Sequence, residues 1–124
     1  ELGSTEPTRD FLYVSDTARG FAKMGENPEA IGRTVQLGSG RETSVGDLAG
    51  LILDILGLQG KEIVSTDERM RPEQGEVMRL AASPALAERI LGWRPLVSLE
   101  EGLAATARWI ADHRELYAGG GYAV

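Results

Sequence analysis

Three times along this chain, apolar residues at helical spacing run into a glycine. Ala18, Phe21 and Ala22 recur at intervals of three and four before Gly25. Leu48, Ile52, Ile55 and Leu56 share one face before Gly57, and Leu86, Ile90 and Leu91 do so before Gly92. Each stretch predicts an amphipathic helix stopped by the residue that most readily turns out of it. Start signals accompany them. Asp16 is placed to cap the first helix. Ser44, with Asp47 three residues on, opens the second over 44–57, and Ser83 with Pro84 at the first helical position opens the third. Ser98 and Glu101 form the strongest capping box in the chain and predict a fourth helix. In it Leu99, Leu103, Ala107, Ile110 and Ala111 face inward, Trp109 is partly buried, and the helix frays near Tyr117.

The segments between helices are short and punctuated. Phe11 to Val14, the alternating Thr34 to Leu37 and Glu62 to Val64 predict three short strands. Residues 65–76 are highly charged and hold Pro72 and Gly75, the signature of a long loop. Residues 1–8 read as a leader, 9–117 as the folded domain, and 118–124, with Gly119 to Gly121, as a flexible tail. The expected fold is a small mixed α/β domain of about four helices and three short strands.

At 124 residues there is room for one domain with a thin core. A net charge of −6, from 13 Lys and Arg against 19 Asp and Glu, argues against nucleic acid as a partner but leaves room for an anion held by local arginines. With no cysteine, disulfides, thiolate metal sites and thiol nucleophiles are excluded, which fits an intracellular, cytoplasmic protein. No apolar run is long enough to span a membrane. The chain opens Glu-Leu-Gly without a methionine, as expected of a piece of a longer protein.

Few residues carry chemistry. Gly38-Ser39-Gly40 lacks the third glycine of a dinucleotide fingerprint, position 43 being Thr, and is better read as a tight turn needing positive φ than as a phosphate cradle. His113, the single histidine, suits a helix C-terminus and has no partners for a metal site. The acidic residues 67, 68, 73 and 76 lack calcium-loop spacing. Arg9, Arg69 and Arg71 are either solvated or ion-paired, or forks for a phosphate or carboxylate. Tyr13 has no lysine four positions on, and Ser15 beside Asp16 reads as capping. No nucleophile and base pair emerges, so no catalytic residue is assigned.

Four stretches, in order, resemble the C-terminal part of an extended short-chain dehydrogenase/reductase of the NAD-dependent nucleotide-sugar epimerase/dehydratase family. They are Thr8-Arg9-Asp10-Phe11-Leu12-Tyr13-Val14-Ser15-Asp16-Thr17-Ala18; Thr34 to Gly40 with the helix at 44–57; Arg71-Pro72 through Glu76-Val77-Met78-Arg79-Leu80; and Leu91-Gly92-Trp93-Arg94-Pro95 with Ser98 to Leu103. The resemblance covers roughly residues 8–117. It implies a nucleoside-diphosphate-sugar-binding domain, with the N-terminal Rossmann domain that holds NAD lying elsewhere, so that NAD is expected in the parent and not on this fragment. It also implies that Arg9 contacts the nucleotide or its phosphates, that Arg71 binds the diphosphate, and that Glu76 accepts from the ribose hydroxyls. The loop is longer than the common Arg-Pro-Gly-Glu form, which leaves Glu73 as the alternative to Glu76.

The 76–80 stretch and the start of the first helix are most similar to the sugar 4,6-dehydratase branch. Those enzymes oxidise the hexose at C4, lose water across C5 and C6, and return the hydride to C6. A 4-epimerase is the alternative reaction. A stand-alone nucleotide-sugar-binding or structural module is the alternative outside catalysis. The resemblance further implies a homo-oligomer, a dimer being expected. An isolated fragment is expected to be inactive and to expose apolar faces that favour self-association.

Overall fold

The structure, a computed structural model, describes residues 1–66 and 77–117. Four α-helices and three strands of two residues each form a small mixed α/β fold, as the sequence leads one to expect. The strands are β1 (Thr8–Arg9), β2 (Thr43–Ser44) and β3 (Arg79–Leu80); the helices are α1 (Val14–Glu26), α2 (Val45–Ile55), α3 (Ala85–Leu91) and α4 (Leu99–Asp112). β1 lies in the middle of the sheet, antiparallel to β2 and parallel to β3. Its neighbours come from residues 36 and 71 positions downstream in the register Thr8–Ser44 and Thr8–Arg79.

None of the three strands falls where apolar patterning put it. Residues 34–37 keep the alternation, Val35 and Leu37 packing against the core while Gln36 is exposed, but they join no ladder. Phe11 to Tyr13 lead directly into α1, and 62–66 joins no strand but meets the N-terminus at a parallel bridge between Leu2 and Ser65. Alternation reports which way side chains point. A ladder needs a second chain segment at the right distance, which sequence periodicity does not encode.

The helix ends follow the local signals closely. Ser44 caps α2 by accepting from the Asp47 N–H, although its hydroxyl also donates to the Asp47 carboxylate, so the reciprocal half of a capping box is absent. Ser98 and Glu101 form the complete box at α4. Gly57, at φ +69°, closes α2: its N–H reaches the Asp54 carbonyl and the Leu58 N–H reaches that of Leu53. Gly92 closes α3 in the same left-handed region. Two starts differ. α1 begins at Val14 with Tyr13 at the cap position, so Asp16 lies inside the first turn; α3 begins at Ala85 with Pro84 at the cap position.

The core is Ala87, Leu91 and Trp93, with Leu12, Met24, Ala30, Val35, Leu37 and Ile90 packed around it. α1 turns an unexpected face towards it. Asp16 and Gly20 are buried, whereas Ala18, Phe21 and Ala22, expected inward, are exposed, with Phe21 at 63%. The reason is the neighbour. α1 packs beside the C-terminus of α3, where carbonyls lack helical partners. Asn27 donates to the Ile90 carbonyl, Lys23 to that of Leu91, and Arg19 to that of Arg94. These donors recur every four residues, and Gly20 among them lets the helix approach Leu37 so closely that a methyl group would collide with it. In α4, Gly102 is buried against Tyr13 and Leu103 is half-buried, but Ile110 and Ala111, in the last turn of the helix, are exposed, against expectation.

Candidate functional site

Arg9 and Asp10 stand at the centre of the fold, on and just after the middle strand. Arg9 Nη1 donates to the carbonyls of Thr8, at 2.8 Å, and Val77, at 2.6 Å. The guanidinium is thereby fastened to Val77, where the described residues resume after Thr66. The Thr8 N–H bonds the Met78 carbonyl at 2.8 Å. Glu42 adds a stitch across all three strands, its carboxylate receiving Arg79 Nε and Nη2 at 3.0 Å each and Thr8 Oγ1 at 3.2 Å. The Arg79 hydrogen bonds hold the Glu42 carboxyl below the usual carboxylate range.

Asp10 gathers segments that are far apart in sequence. Its Oδ1 accepts from the Ser39 N–H at 2.8 Å and the Ser39 hydroxyl at 2.6 Å; its Oδ2 accepts from the N–H groups of Gly40 at 2.8 Å and Ala82 at 3.2 Å. Burial alone would raise its pKa, but these four bonds to the charged form outweigh it and hold the carboxyl below its ordinary value. Gly38-Ser39-Gly40 is therefore a turn closed on a resident carboxylate. Gly40 has φ +73°, as the turn reading requires, and Gly38 is needed for a different reason: a Cβ there would collide with Ala82 and crowd Asp10 Oδ2. The N–H groups that a phosphate cradle would present are taken by Asp10, so this turn does not fit a dinucleotide cofactor.

Arg9, Asp10, Gln36, Leu37 and Leu80 to Ala82 line a hollow of about 330 Å³. A larger cleft of about 420 Å³ lies between Phe11, Arg41 and the Pro95 to Glu100 segment. It places one cation, Arg41, in the same cleft as Glu100 at the acidic start of α4. Arg69, Arg71, Glu73 and Glu76 lie outside the described residues. His113 sits at the C-cap of α4, its Nδ1 2.8 Å from the Trp109 carbonyl and its ring stacked on Trp109 at 4.4 Å. No cluster of three or more metal-ligating side chains occurs among the described residues, and none of their helices is long and apolar enough to cross a membrane.

A second carboxylate, Asp16, fixes the closing motif. It is 1% exposed. Its Oδ2 accepts the N–H groups of Leu96 and Val97 at 2.9 and 3.0 Å, its Oδ1 pairs with Arg19, and its backbone carbonyl takes the Trp93 indole N–H at 3.0 Å. Arg19 also lies over the Trp93 ring, 5.8 Å from its centroid. Burial would raise the Asp16 pKa, but the bonds from Val97, Arg19 and Leu96 prevail and lower it. Neither Asp10 nor Asp16 stands out as a site residue by pattern.

A middle strand ending in Arg9, a glycine turn closed on Asp10, and a Trp-Arg-Pro segment clamped to α1 are the fixed points of this small α/β fold. The chain matches the GDP-mannose 4,6 dehydratase family over residues 1–106. It is 33% identical over 106 residues to the dTDP-glucose 4,6-dehydratase of Streptomyces griseus, covering 86% of this chain and 31% of that protein. An epimerase from Methanothermobacter thermautotrophicus superposes with a TM-score of 0.83 at 38% identity, over 94% of this chain and 34% of that one. The Bordetella bronchiseptica enzyme WbmF, solved in complex with NAD+ and UDP, does so with a TM-score of 0.73 at 28% identity, over 95% and 33%. The chain belongs to the NAD-dependent nucleotide-sugar epimerase/dehydratase family. It spans about a third of the length of the relatives it matches.

Proposed function

We propose that residues 9–117 form the nucleotide-sugar-binding portion of an NAD-dependent nucleotide-sugar 4,6-dehydratase. The observation that carries the reading is Arg9: it walls the 330 Å³ hollow and is tied to Val77, at the foot of the segment that holds Arg71 and Glu76. In this reading Arg9 and Arg71 grip the diphosphate, which guanidinium forks suit, and Glu76 accepts from the ribose diol, which a carboxylate suits. NAD is bound by other parts of the protein, and the residues described here do not carry the redox step. The working protein is a cytoplasmic homo-oligomer.

A 4-epimerase is the second reading, favoured by the extent of superposition on the Methanothermobacter epimerase. The product of the complete gene, supplied with NAD and with UDP-, dTDP- and GDP-hexoses in turn, tests both. A 4-keto-6-deoxy product, lighter by one water, supports the dehydratase. An isomeric product inverted at C4 supports the epimerase and overturns the dehydratase. Failure to bind any nucleoside diphosphate overturns the assignment of the site.

A further inference from the structure

We propose that Asp10 is a positioning residue for the diphosphate site and acts by fixing Arg9 against the opposite wall of the hollow; this rests on the reading of Arg9 given above. Arg9 and Asp10 are adjacent on extended backbone and engage the same passing segment at two points. Arg9 holds its beginning through the Val77 carbonyl, and Asp10 holds its end through the Ala82 N–H. Between them the segment pairs with β1 in the register Thr8–Arg79 and Arg9–Leu80.

The same Asp10 carboxylate binds Ser39 and Gly40, next to Gln36 and Leu37 of the other wall. Gln36 reaches across as well, its Oε1 accepting the Ser83 N–H at 3.0 Å. Both walls of the hollow therefore converge on Asp10, one residue from the guanidinium. A carboxylate can accept at all the lone pairs used here, whereas an amide replaces one oxygen by a donor. Asp10→Asn would turn an N–H donor either towards the Ser39 N–H or towards the N–H groups of Gly40 and Ala82, one from each wall. In either orientation the Ser39–Gly40 wall loses an acceptor and must shift relative to Arg9.

The test uses the product of the complete gene, with UDP, dTDP and GDP titrated calorimetrically well below the melting temperature of each variant. Asp10→Asn is expected to raise Kd for the best-bound nucleotide by about tenfold, in keeping with the cost of displacing a binding group by a fraction of an ångström. In an Arg9→Ala background the same substitution is expected to change Kd less than about twofold, because the group it positions is gone. Asp16→Asn, at a staple away from the hollow, is expected to lower the melting temperature and leave Kd unchanged.

Ser39→Ala removes one donor and keeps the carboxylate. It is expected to weaken binding about threefold and decides the matter if Asp10→Asn does not fold. Equal losses from Asp10→Asn with and without Arg9, or an unchanged Kd in Asp10→Asn or in Ser39→Ala, overturn the positioning role while leaving the binding site in place. No binding by the unaltered protein overturns the site and the positioning role together.

Discussion

Asp16 joins α1 to the Trp93 to Val97 segment through two backbone N–H groups and Arg19, with Trp93 Nε1 bonded to its carbonyl. Its side chain sits where water cannot replace those partners. Asp16→Asn is expected to lower stability by about 2–3 kcal/mol, read from urea unfolding, because it removes a buried charge-assisted set and takes the carboxylate partner from Arg19. The pH dependence has a definite sign. The folded carboxyl has a lowered pKa, so the unfolded chain takes up the proton first. The contribution is present above the ordinary Asp value near 3.9 and is lost as pH falls from there through the folded value. Asp10 adds a contribution of the same sign. Unfolding free energy should therefore decline below about pH 4, and the decline should be shallower in Asp16→Asn. An identical slope in the variant would show that other carboxylates govern acid unfolding.

Each helix is bounded by its own residues but oriented by its neighbours. Gly57 must hold φ +69° for the Schellman closure of α2, so Gly57→Ala is expected to cost about 1–2 kcal/mol, measured by thermal unfolding. A loss indistinguishable from zero would show that the chain can leave α2 another way. α4 carries Leu103 on its inner face, but half-buried and not sealed. Leu103→Ala should cost about 1–2 kcal/mol, less than the loss expected at a fully buried leucine. A value under about 0.5 kcal/mol would place it on the surface. In α1 Asp16, Arg19 and Lys23 face inward beside Met24, and Ala18, Phe21 and Ala22 face outward, because Arg19, Lys23 and the C-cap Asn27 serve carbonyls at and just beyond the end of α3. The helix is amphipathic, as its periodicity states, but the hydrophobic side is not the buried side.

At the level of the whole chain, that reversal leaves Val14 and Phe21 exposed at 70% and 63% on one helix. Ala18 and Ala22 complete the face. A face of this kind favours association when nothing covers it. We expect the 124-residue chain to sediment with a concentration-dependent mass, and Phe21→Glu to shift it towards the monomer. A monomer at every concentration would show that the face is tolerated in water. The core that these elements enclose is small, built on Ala87, Leu91 and Trp93. Trp93→Phe keeps most of the ring but loses the bond to the Asp16 carbonyl, and is expected to cost about 1–2 kcal/mol.

Residues 44–57, 83–92 and 98–117 show how far sequence reaches. Caps, boxes and terminal glycines act within four or five residues, so the starts of α2 and α4 and the ends of α2 and α3 could be read almost to the residue from Ser44, Gly57, Gly92, Ser98 and Glu101, whereas α4 ends at Asp112, short of Tyr117. The turn at Gly38 to Gly40 was legible too, through its glycines. What only the tertiary structure decided is every relation between segments: strands at Thr8–Arg9, Thr43–Ser44 and Arg79–Leu80 instead of on the apolar runs, the inward face of α1, and the two carboxylates that tie the chain together. Asp10 reaches residues 29 and 72 positions away, and Asp16 residues 80 and 81 positions away. A hydrogen bond depends on distance in space, and over such separations the sequence carries the donors and acceptors but not their meeting.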